Sequence, residues 1–318
     1  MGSRASETRE AGEASGRSRI GGEERMVEEF AVEREGMTFF CKRFAPEGLP
    51  GDPGSLRAEE GAALGVRERP PLLMVHGGLV DCDFFDGAAT VLSRLFDVVT
   101  YDRRGYGRSD DPPSGEFDLA EQAEDAFAVA SACFDAPFSL ITHSVGASIG
   151  LGLMARHPGA VSRALIHEPL VLSCVPPDSD LAQVVAETRA ATHRASVGSI
   201  GDGFLFGLAP KDDRAYEPSE SERARTARNT SCSIVNEGSL FVCFEPDYEA
   251  VVQVPAVVGL GELGRTSPIG IIVETFARRA GMPVAHFPGA HNCPADLPCD
   301  FACMTTGLVA TGWTPSGC

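Results

Sequence analysis

The chain has 318 residues and a formal net charge of −18, from 45 acidic and 27 basic residues. Its 43% of hydrophobic and 23% of charged residues are ordinary for a globular protein, which excludes a mainly disordered, collagen-like or coiled-coil chain. The negative charge repels phosphate backbones and anionic lipids, so neither nucleic acid nor a membrane is expected as a partner. No apolar run reaches the roughly 18 residues of a membrane span.

Residues 1–25 are rich in Gly, Ser, Glu and Arg. This composition cannot bury a core, so it predicts a disordered tail. The same stretch has no apolar segment of a secretory signal, and we therefore expect a cytoplasmic protein. The ten cysteines include no C-x-x-C pair, which favours reduced structural thiols. Cys293, Cys299 and Cys303 lack zinc-ribbon spacing, and no metal site is predicted.

From residue 26 onward, short apolar runs alternate with helical patterns. Residues 27–45 predict two strands around a Glu35-Gly36 turn. The later runs are apolar throughout, which is typical of strands that are buried on both faces of a parallel sheet. These strands are predicted at residues 72–75, 96–101, 138–142, 163–167, 254–260 and 284–287, with helices at residues 118–134, 146–157 and 271–280. The alternation predicts an α/β fold, with a mostly parallel sheet covered by helices on both faces.

Residues 170–250 interrupt this alternation, because they contain helical patches and no strand-like runs. They predict a helical cap or lid inserted into a core domain that comprises residues 26–169 and 251–318. The aromatic residues of this segment either pack its helices together or line an apolar pocket beneath a lid. On the second interpretation, Phe204, Phe206 and Tyr216 are candidate substrate-binding residues.

One serine stands where a predicted strand turns directly into a helix of small residues. The sequence I-T-H-S-V-G-A at 141–147 places Ser144 in a tight turn, with the backbone N–H of Val145 directed at whatever binds there. A serine hydroxyl is a weak nucleophile and needs a base within reach. His291 follows the last predicted strand and is expected at the same edge of the sheet. A base histidine in turn needs a carboxylate to fix its tautomer.

Four motifs occur in an order that resembles the α/β-hydrolases. They are H-G-G at 76–78, D-R-R-G-Y-G-R-S at 102–109, the serine turn, and P-G-A-H at 288–291. The resemblance extends from about residue 27 to the C-terminus and implies the α/β-hydrolase fold. The sequence contains no Rossmann, P-loop or H-E-x-x-H pattern, so no cofactor is expected.

The resemblance also implies roles for individual residues. It makes Ser144 the nucleophile of an acyl-enzyme mechanism and His291 its general base. It implies an oxyanion hole formed by the backbone N–H groups of Val145 and Gly78, with a contribution from Leu79.

Two departures from the family pattern concern the serine turn and the base loop. The turn usually reads G-x-S-x-G, and Thr142 replaces the first glycine. A β-branched residue at this close contact is expected to strain or widen the turn. The base loop usually reads G-x-G-H, and here Ala290 precedes His291.

The acid of the triad has two candidates. The family usually places an Asp in a G-x-x-D segment after a late strand, but residues 261–264 read G-E-L-G, with Gly264 in the position of the Asp. Glu262 lies in that segment. Glu168 ends the strand beside the serine strand, an arrangement similar to that of the zearalenone lactone hydrolases within this family. Glu168 is therefore favoured as the acid, with Glu262 as the alternative.

These residues predict a serine hydrolase that cleaves an ester or lactone of a small hydrophobic molecule. Three alternatives remain open: a thioesterase, a carbon–carbon bond hydrolase on the same triad, and a non-catalytic ligand-binding protein of this fold. Dehalogenase and epoxide hydrolase chemistry are disfavoured, because those enzymes use an Asp where this chain has Ser144.

Overall fold

The computed structural model describes residues 14–20, 23–45, 69–193, 217–310 and 312, and its centre is a nine-stranded sheet. The strands are β1 Ala14–Ile20, β2 Glu23–Arg34, β3 Met37–Ala45, β4 Pro71–Val75, β5 Asp97–Tyr101, β6 Phe138–His143, β7 Val161–His167, β8 Ala256–Gly261 and β9 Val284–Phe287. Their order across the sheet is β1-β2-β3-β5-β4-β6-β7-β8-β9. The first three strands pair antiparallel up to β5, and the six strands from β5 to β9 run parallel.

Helices lie between the parallel strands and after the last of them. They are α1 Asp86–Leu92, α2 Leu119–Cys133, α3 Gly146–Arg156, α4 Asp180–His193, α5 Glu220–Ser231, α6 Gly238–Cys243, α7 Tyr248–Val251, α8 Pro268–Ala280, α9 Cys293–Asp296 and α10 Pro298–Ala310. None of the helices in the described stretches is long and apolar enough to cross a membrane.

The buried apolar side chains form two clusters, one on each face of the sheet. Leu73 and Leu140 belong to one cluster together with residues of α2, α3 and α8. Their strand neighbours Leu72 and Ile141 belong to the other cluster, with residues of α1 and α10. Successive side chains of a strand point to opposite faces, so a strand that is buried on both faces is apolar throughout. The α/β-hydrolase architecture predicted from the sequence is confirmed.

The predicted hairpin also forms as expected. Glu35 and Gly36 connect β2 to β3 with φ angles of 52° and 78°. Two consecutive residues at positive φ make the turn whose twist matches an antiparallel pair of strands.

The prediction of a disordered tail over residues 1–25 is wrong for part of that stretch. Residues 14–20 form β1, and β2 already begins at Glu23. β1 pairs antiparallel with β2, in a register that sets Arg19 opposite Glu24. An edge strand can satisfy its backbone groups on one neighbour without burying an apolar face, so composition does not reveal it.

The helices α1, α9 and α10 were not predicted from the sequence. α1 and α9 have only seven and four residues. In α10, cysteines and threonines are mixed with the apolar residues, and the buried side chains include Phe301 and Leu308.

Residues 170–250, the predicted cap, are called the insertion below and lie between β7 and β8. The described parts of the insertion contain α4 to α7 and no strand, and α7 spans the predicted boundary at residue 250. α5 contacts the loops that follow β4 and β5. Arg225 binds Asp81 and Asp83 through hydrogen bonds of 2.6–3.3 Å, and the side-chain oxygen of Asn229 accepts from the N–H of Gly107 at 2.9 Å.

Candidate active site

The residues predicted to carry the chemistry follow four parallel strands, at the edge where those strands end. Gly78 comes after β4, Ser144 after β6, Glu168 after β7 and His291 after β9. The carboxyl ends of parallel strands lie along one edge of a sheet, where ligands of open α/β folds bind. The fold therefore gathers residues that are distant in sequence.

Ser144 occupies a tight turn between β6 and α3. Its φ angle is 54°, its N–H donates to the carbonyl of His167 at 3.0 Å, and its own carbonyl accepts from Ala147 at 3.0 Å. A Cβ atom on Gly146 would lie 2.3 Å from the carbonyl oxygen of His76, so only glycine fits there. Val145 immediately precedes α3, where backbone N–H groups have no acceptor within the helix.

Thr142 fits this turn because Gly150 provides the space. β6 continues unbroken through Thr142 to His143. A Cβ atom on Gly150, one turn into α3, would lie only 2.3 Å from Cγ2 of Thr142. In the family, a glycine on the strand allows the strand and the following helix to pack closely. Here the strand carries Thr142, and Gly150 on the helix allows the same close packing.

This packing predicts that Gly150→Ala destabilises the protein. Glycine to alanine in a helix ordinarily gains about 0.5–1 kcal/mol, but forcing a methyl group against Thr142 costs about 1–3 kcal/mol. We expect a net loss of about 1–2 kcal/mol in the free energy of unfolding, measured by urea denaturation. In the Thr142→Ala background, which lacks the methyl group that Gly150 accommodates, the same change should cost nothing. An equal loss in both backgrounds would contradict this account.

His291 is held by a buried carboxylate. Its Nδ1 donates to Oε2 of Glu168 at 2.5 Å, and Oε1 of Glu168 accepts from the N–H of Gly261 at 2.7 Å. Glu168 is fully buried. Burial alone would raise the pKa of Glu168, but the hydrogen bond and charge of His291 outweigh it, and the pKa lies below its ordinary value. The carboxylate therefore stays ionised and fixes the tautomer of the imidazole.

The structure brings Glu168, and not Glu262, to His291. Glu262 is exposed and pairs with Arg265 at 2.9 Å. Gly264 stands where the family has its Asp, and a Cβ atom there would lie 3.2 Å from Oε1 of Glu168. In members of the family, the residue at the position of Gly264 supplies the acid. Here the carboxylate of Glu168, which follows the neighbouring strand β7, lies beside that position.

This pairing predicts that the cost of His291→Ala depends on pH. In the wild type, the pKa of Glu168 is lower in the folded than in the unfolded state. Ionised Glu168 therefore stabilises the fold at a pH above the ordinary glutamate pKa, and this stabilisation is lost as the pH falls through the folded-state pKa. Without His291, burial becomes the main influence on the pKa of Glu168, and we expect this pKa to rise. The ionised carboxylate then destabilises the fold near neutral pH, and its protonation at lower pH removes this cost. We expect a loss of about 1–3 kcal/mol near neutral pH and a smaller loss near pH 5, measured by urea denaturation.

Glu262→Gln is the matched control for this measurement, because its carboxylate is exposed and makes no contact with His291. It should change the free energy of unfolding little at either pH. A loss in His291→Ala that is the same at both pH values would show that Glu168 does not depend on His291.

His143 supports the base loop. Its Nε2 donates to the backbone carbonyl of His291 at 2.9 Å, and the two imidazole rings lie 4.6 Å apart. Burial, together with the neighbouring histidines, holds the pKa of His143 well below its ordinary value. His143 is therefore neutral, and its one ring proton is used to position His291.

The H-G-G loop lies directly against the serine turn. A Cβ atom on Gly77 would lie 3.0 Å from Cβ of Ser144, and one on Gly78 would lie 3.2 Å from Cγ2 of Val145. Leu79, the third predicted oxyanion residue, has a φ angle of 68°. Gly77 and Gly78 therefore lie against Ser144 and Val145.

Backbone strain is concentrated at this site. Four residues other than glycine have a positive φ in the described part of the chain, and three of them are Leu79, Ser144 and Glu168, with φ values of 68°, 54° and 45°. Each such residue costs about 1–3 kcal/mol and persists only where the surrounding structure enforces it. The strain falls on residues predicted to be nucleophile, acid and oxyanion loop.

Sequence reasoning missed the side chains that hold the H-G-G loop. Arg103 donates to the carbonyl of Gly77 at 3.0 Å and pairs with Glu237, a residue of the insertion. Nothing in the sequence indicates this contact, because 134 residues separate the two partners. Phe204, Phe206 and Tyr216 lie outside the described residues.

Within the described ranges, no group of three or more His, Cys, Asp or Glu side chains is arranged to hold a metal ion.

Comparison with known proteins finds hydrolases among the similar sequences and structures. The family model described as "alpha/beta hydrolase fold" matches residues 70–201. The chain is 38% identical to the uncharacterized hydrolase YraK of Bacillus subtilis over 104 residues, which cover 32% of this chain and 38% of that protein. It is 23% identical to 2-(acetamidomethylene)succinate hydrolase of Mesorhizobium japonicum over 252 residues, covering 72% of this chain and 84% of the relative. A putative epoxide hydrolase from Pseudomonas aeruginosa has a TM-score of 0.66 at 19% identity, over 90% of this chain and 96% of that one.

The family model matches less than half of this chain, and the match to YraK spans less than half of that protein's length. The structural similarity extends over most of the chain and shows the α/β-hydrolase fold. The chemistry has to follow from the residues of the site.

Proposed function

We propose that this protein is a serine hydrolase that cleaves an ester or lactone of a small hydrophobic molecule. The observation that carries the proposal is the 2.5 Å hydrogen bond between His291 and the buried Glu168, at the sheet edge where Ser144 occupies a strained turn. A nucleophile, a base and an orienting acid, gathered here at one edge of the sheet, are the requirements of nucleophilic acyl transfer.

In the first half of the reaction, Nε2 of His291 takes the proton of the Ser144 hydroxyl while Oγ attacks the substrate carbonyl carbon. The carbonyl oxygen becomes an oxyanion, which accepts hydrogen bonds from the backbone N–H groups of Val145 and Gly78. The tetrahedral intermediate then breaks its bond to the alcohol oxygen, and that oxygen takes the proton from His291. In a lactone the alcohol stays attached to the acyl chain.

In the second half, a water molecule gives a proton to His291 and attacks the acyl carbon. Collapse of the second intermediate returns the proton to Ser144 and releases the acid. Glu168 remains ionised throughout, because its low pKa favours orienting Nδ1–H of His291 over accepting the proton.

The lactone assignment rests on the position of the acid. Glu168 follows β7 as the acid does in the zearalenone lactone hydrolases, and Gly264 leaves the more usual position without a side chain. We assign the insertion the role of a cap, with Phe204, Phe206 and Tyr216 supplying apolar surface for the substrate. The serine at the nucleophile position argues against epoxide hydrolase chemistry, which uses an Asp there.

Turnover of p-nitrophenyl acetate and butyrate tests this proposal. We expect Ser144→Ala to abolish turnover, and Glu168→Gln to lower kcat by about 10³–10⁴-fold because the base loses its orienting charge. Glu262→Gln, the matched control, should stay within about twofold of the wild type because its exposed carboxylate does not reach His291. A panel of aromatic and aliphatic lactones then defines the substrate.

Two results would contradict the proposal. If Glu262→Gln cost far more activity than Glu168→Gln, the acid would be Glu262 and the lactone assignment would lose its basis. A wild type that turns over none of these esters or lactones would favour ligand binding without catalysis.

A further inference from the structure

Glu237 is a fully buried carboxylate of the insertion that contacts the core through three side chains. It ends the π-helical turn Cys232–Asn236. Its oxygens accept from Nη1 of Arg103 at 2.9 and 3.1 Å, from Nε2 of Gln122 at 2.7 Å and from the hydroxyl of Tyr106 at 2.5 Å. A buried carboxylate that accepts hydrogen bonds from this many donors is fixed in place. This cluster lies outside the proposed triad.

Arg103 connects this carboxylate to the H-G-G loop. The side chain is 1% exposed, and its Nη2 donates to the carbonyl of Gly77 at 3.0 Å. The planar guanidinium fork lets one side chain bind Glu237 with one nitrogen and the loop with the other. Glu237 therefore sets the orientation of the fork together with Oε1 of Gln122, which accepts from the same Nη1 at 2.8 Å.

His76 reinforces the same carbonyl. Its Nε2 accepts from the backbone N–H of Arg103 at 3.1 Å, which leaves the proton on Nδ1, 2.8 Å from the oxygen of Gly77. Burial and the charge of Arg103 lower the pKa of His76 to about 3, so the ring stays neutral and keeps this tautomer. Two donors thus converge on the carbonyl of Gly77.

The carbonyl of Gly77 and the N–H of Gly78 belong to one peptide unit. That unit is planar and trans, so the N–H points opposite to the carbonyl oxygen. Holding the oxygen on Arg103 therefore fixes the direction of the N–H, which is one of the two oxyanion donors in the proposed mechanism. A charged donor on the oxygen also polarises the N–H and strengthens it as a donor.

The same turn of the insertion also touches the loop directly. A Cβ atom on Gly78 would lie 2.4 Å from Oγ of Ser233, a buried residue of the turn. The segment that carries Glu237 therefore lies against Gly78, and a displacement of this turn would move both the carboxylate and the contact.

We propose that Glu237 is a positioning residue of the oxyanion hole, acting through Arg103 and the carbonyl of Gly77 on the N–H of Gly78. The hole is complete only while the turn of the insertion is in place against the core. This role rests on the proposed function, since it concerns the transition state of that reaction.

The test combines Glu237→Gln, Arg103→Lys and the double variant. Glu237→Gln should lower kcat by about 10–100-fold, less than loss of a donor. KM should stay within about twofold, because the oxyanion forms in the transition state and not in the bound substrate. Since both residues act through one peptide unit, the double variant should be no slower than the slower single variant.

Hydrogen exchange at residues 76–80, followed by mass spectrometry, provides a readout that does not depend on activity. Glu237→Gln should speed exchange in this loop. Asp125→Asn is the matched control, because it breaks another buried pair, with Arg104 at 2.6 Å, that does not contact Gly77. It should lower the melting temperature while leaving kcat and exchange in the loop unchanged.

The outcomes distinguish failure of the positioning role of Glu237 from failure of the proposed hydrolase function. Unchanged exchange in Glu237→Gln overturns the positioning role, whether or not the protein is a hydrolase. Faster exchange with unchanged kcat also overturns it, because the loop then loosens without affecting the reaction. A wild type without turnover overturns the proposed function, and the positioning role with it. Faster exchange together with a fall in kcat at constant KM supports both.

Discussion

The site depends on one buried hydrogen bond, between Nδ1 of His291 and the carboxylate of Glu168. Ionised carboxylates are costly to bury, and this one is tolerated because the imidazole and the N–H of Gly261 occupy its oxygens. The bond joins the end of β7 to the loop after β9. His143, next to Ser144, binds the same loop through the carbonyl of His291. The conformation of the serine turn and the placement of the base are therefore linked.

Glycines and residues with positive φ angles also shape the sheet edge, because they permit close packing and set the direction of side chains. Gly146 lets α3 approach the carbonyl of His76, and Gly150 gives the methyl group of Thr142 its space. Positive φ angles at Ser144 and Glu168 direct both side chains away from regular strand positions. The packing on both faces of the sheet holds these conformations, which explains why an unusual residue in the turn is compatible with a regular strand.

Much of the core could be predicted from sequence because apolar runs and turn residues are local signals. Ser144, His291 and Glu168 stand at predicted strand ends, and the topology of a parallel sheet then brings them to one edge. Contacts between distant segments have no local signal. The pairing of Arg103 with Glu237, the accommodation of Thr142 by Gly150, and the edge strand β1 all depend on partners that only the folded chain identifies.

Reaction with a fluorophosphonate, followed by peptide mass mapping, tests the central claim most directly. We expect one covalent adduct, on Ser144, with no adduct at that peptide in Ser144→Ala and much slower labelling in His291→Ala. An unlabelled wild type, or an adduct on another residue, would contradict the assignment of Ser144 as the nucleophile.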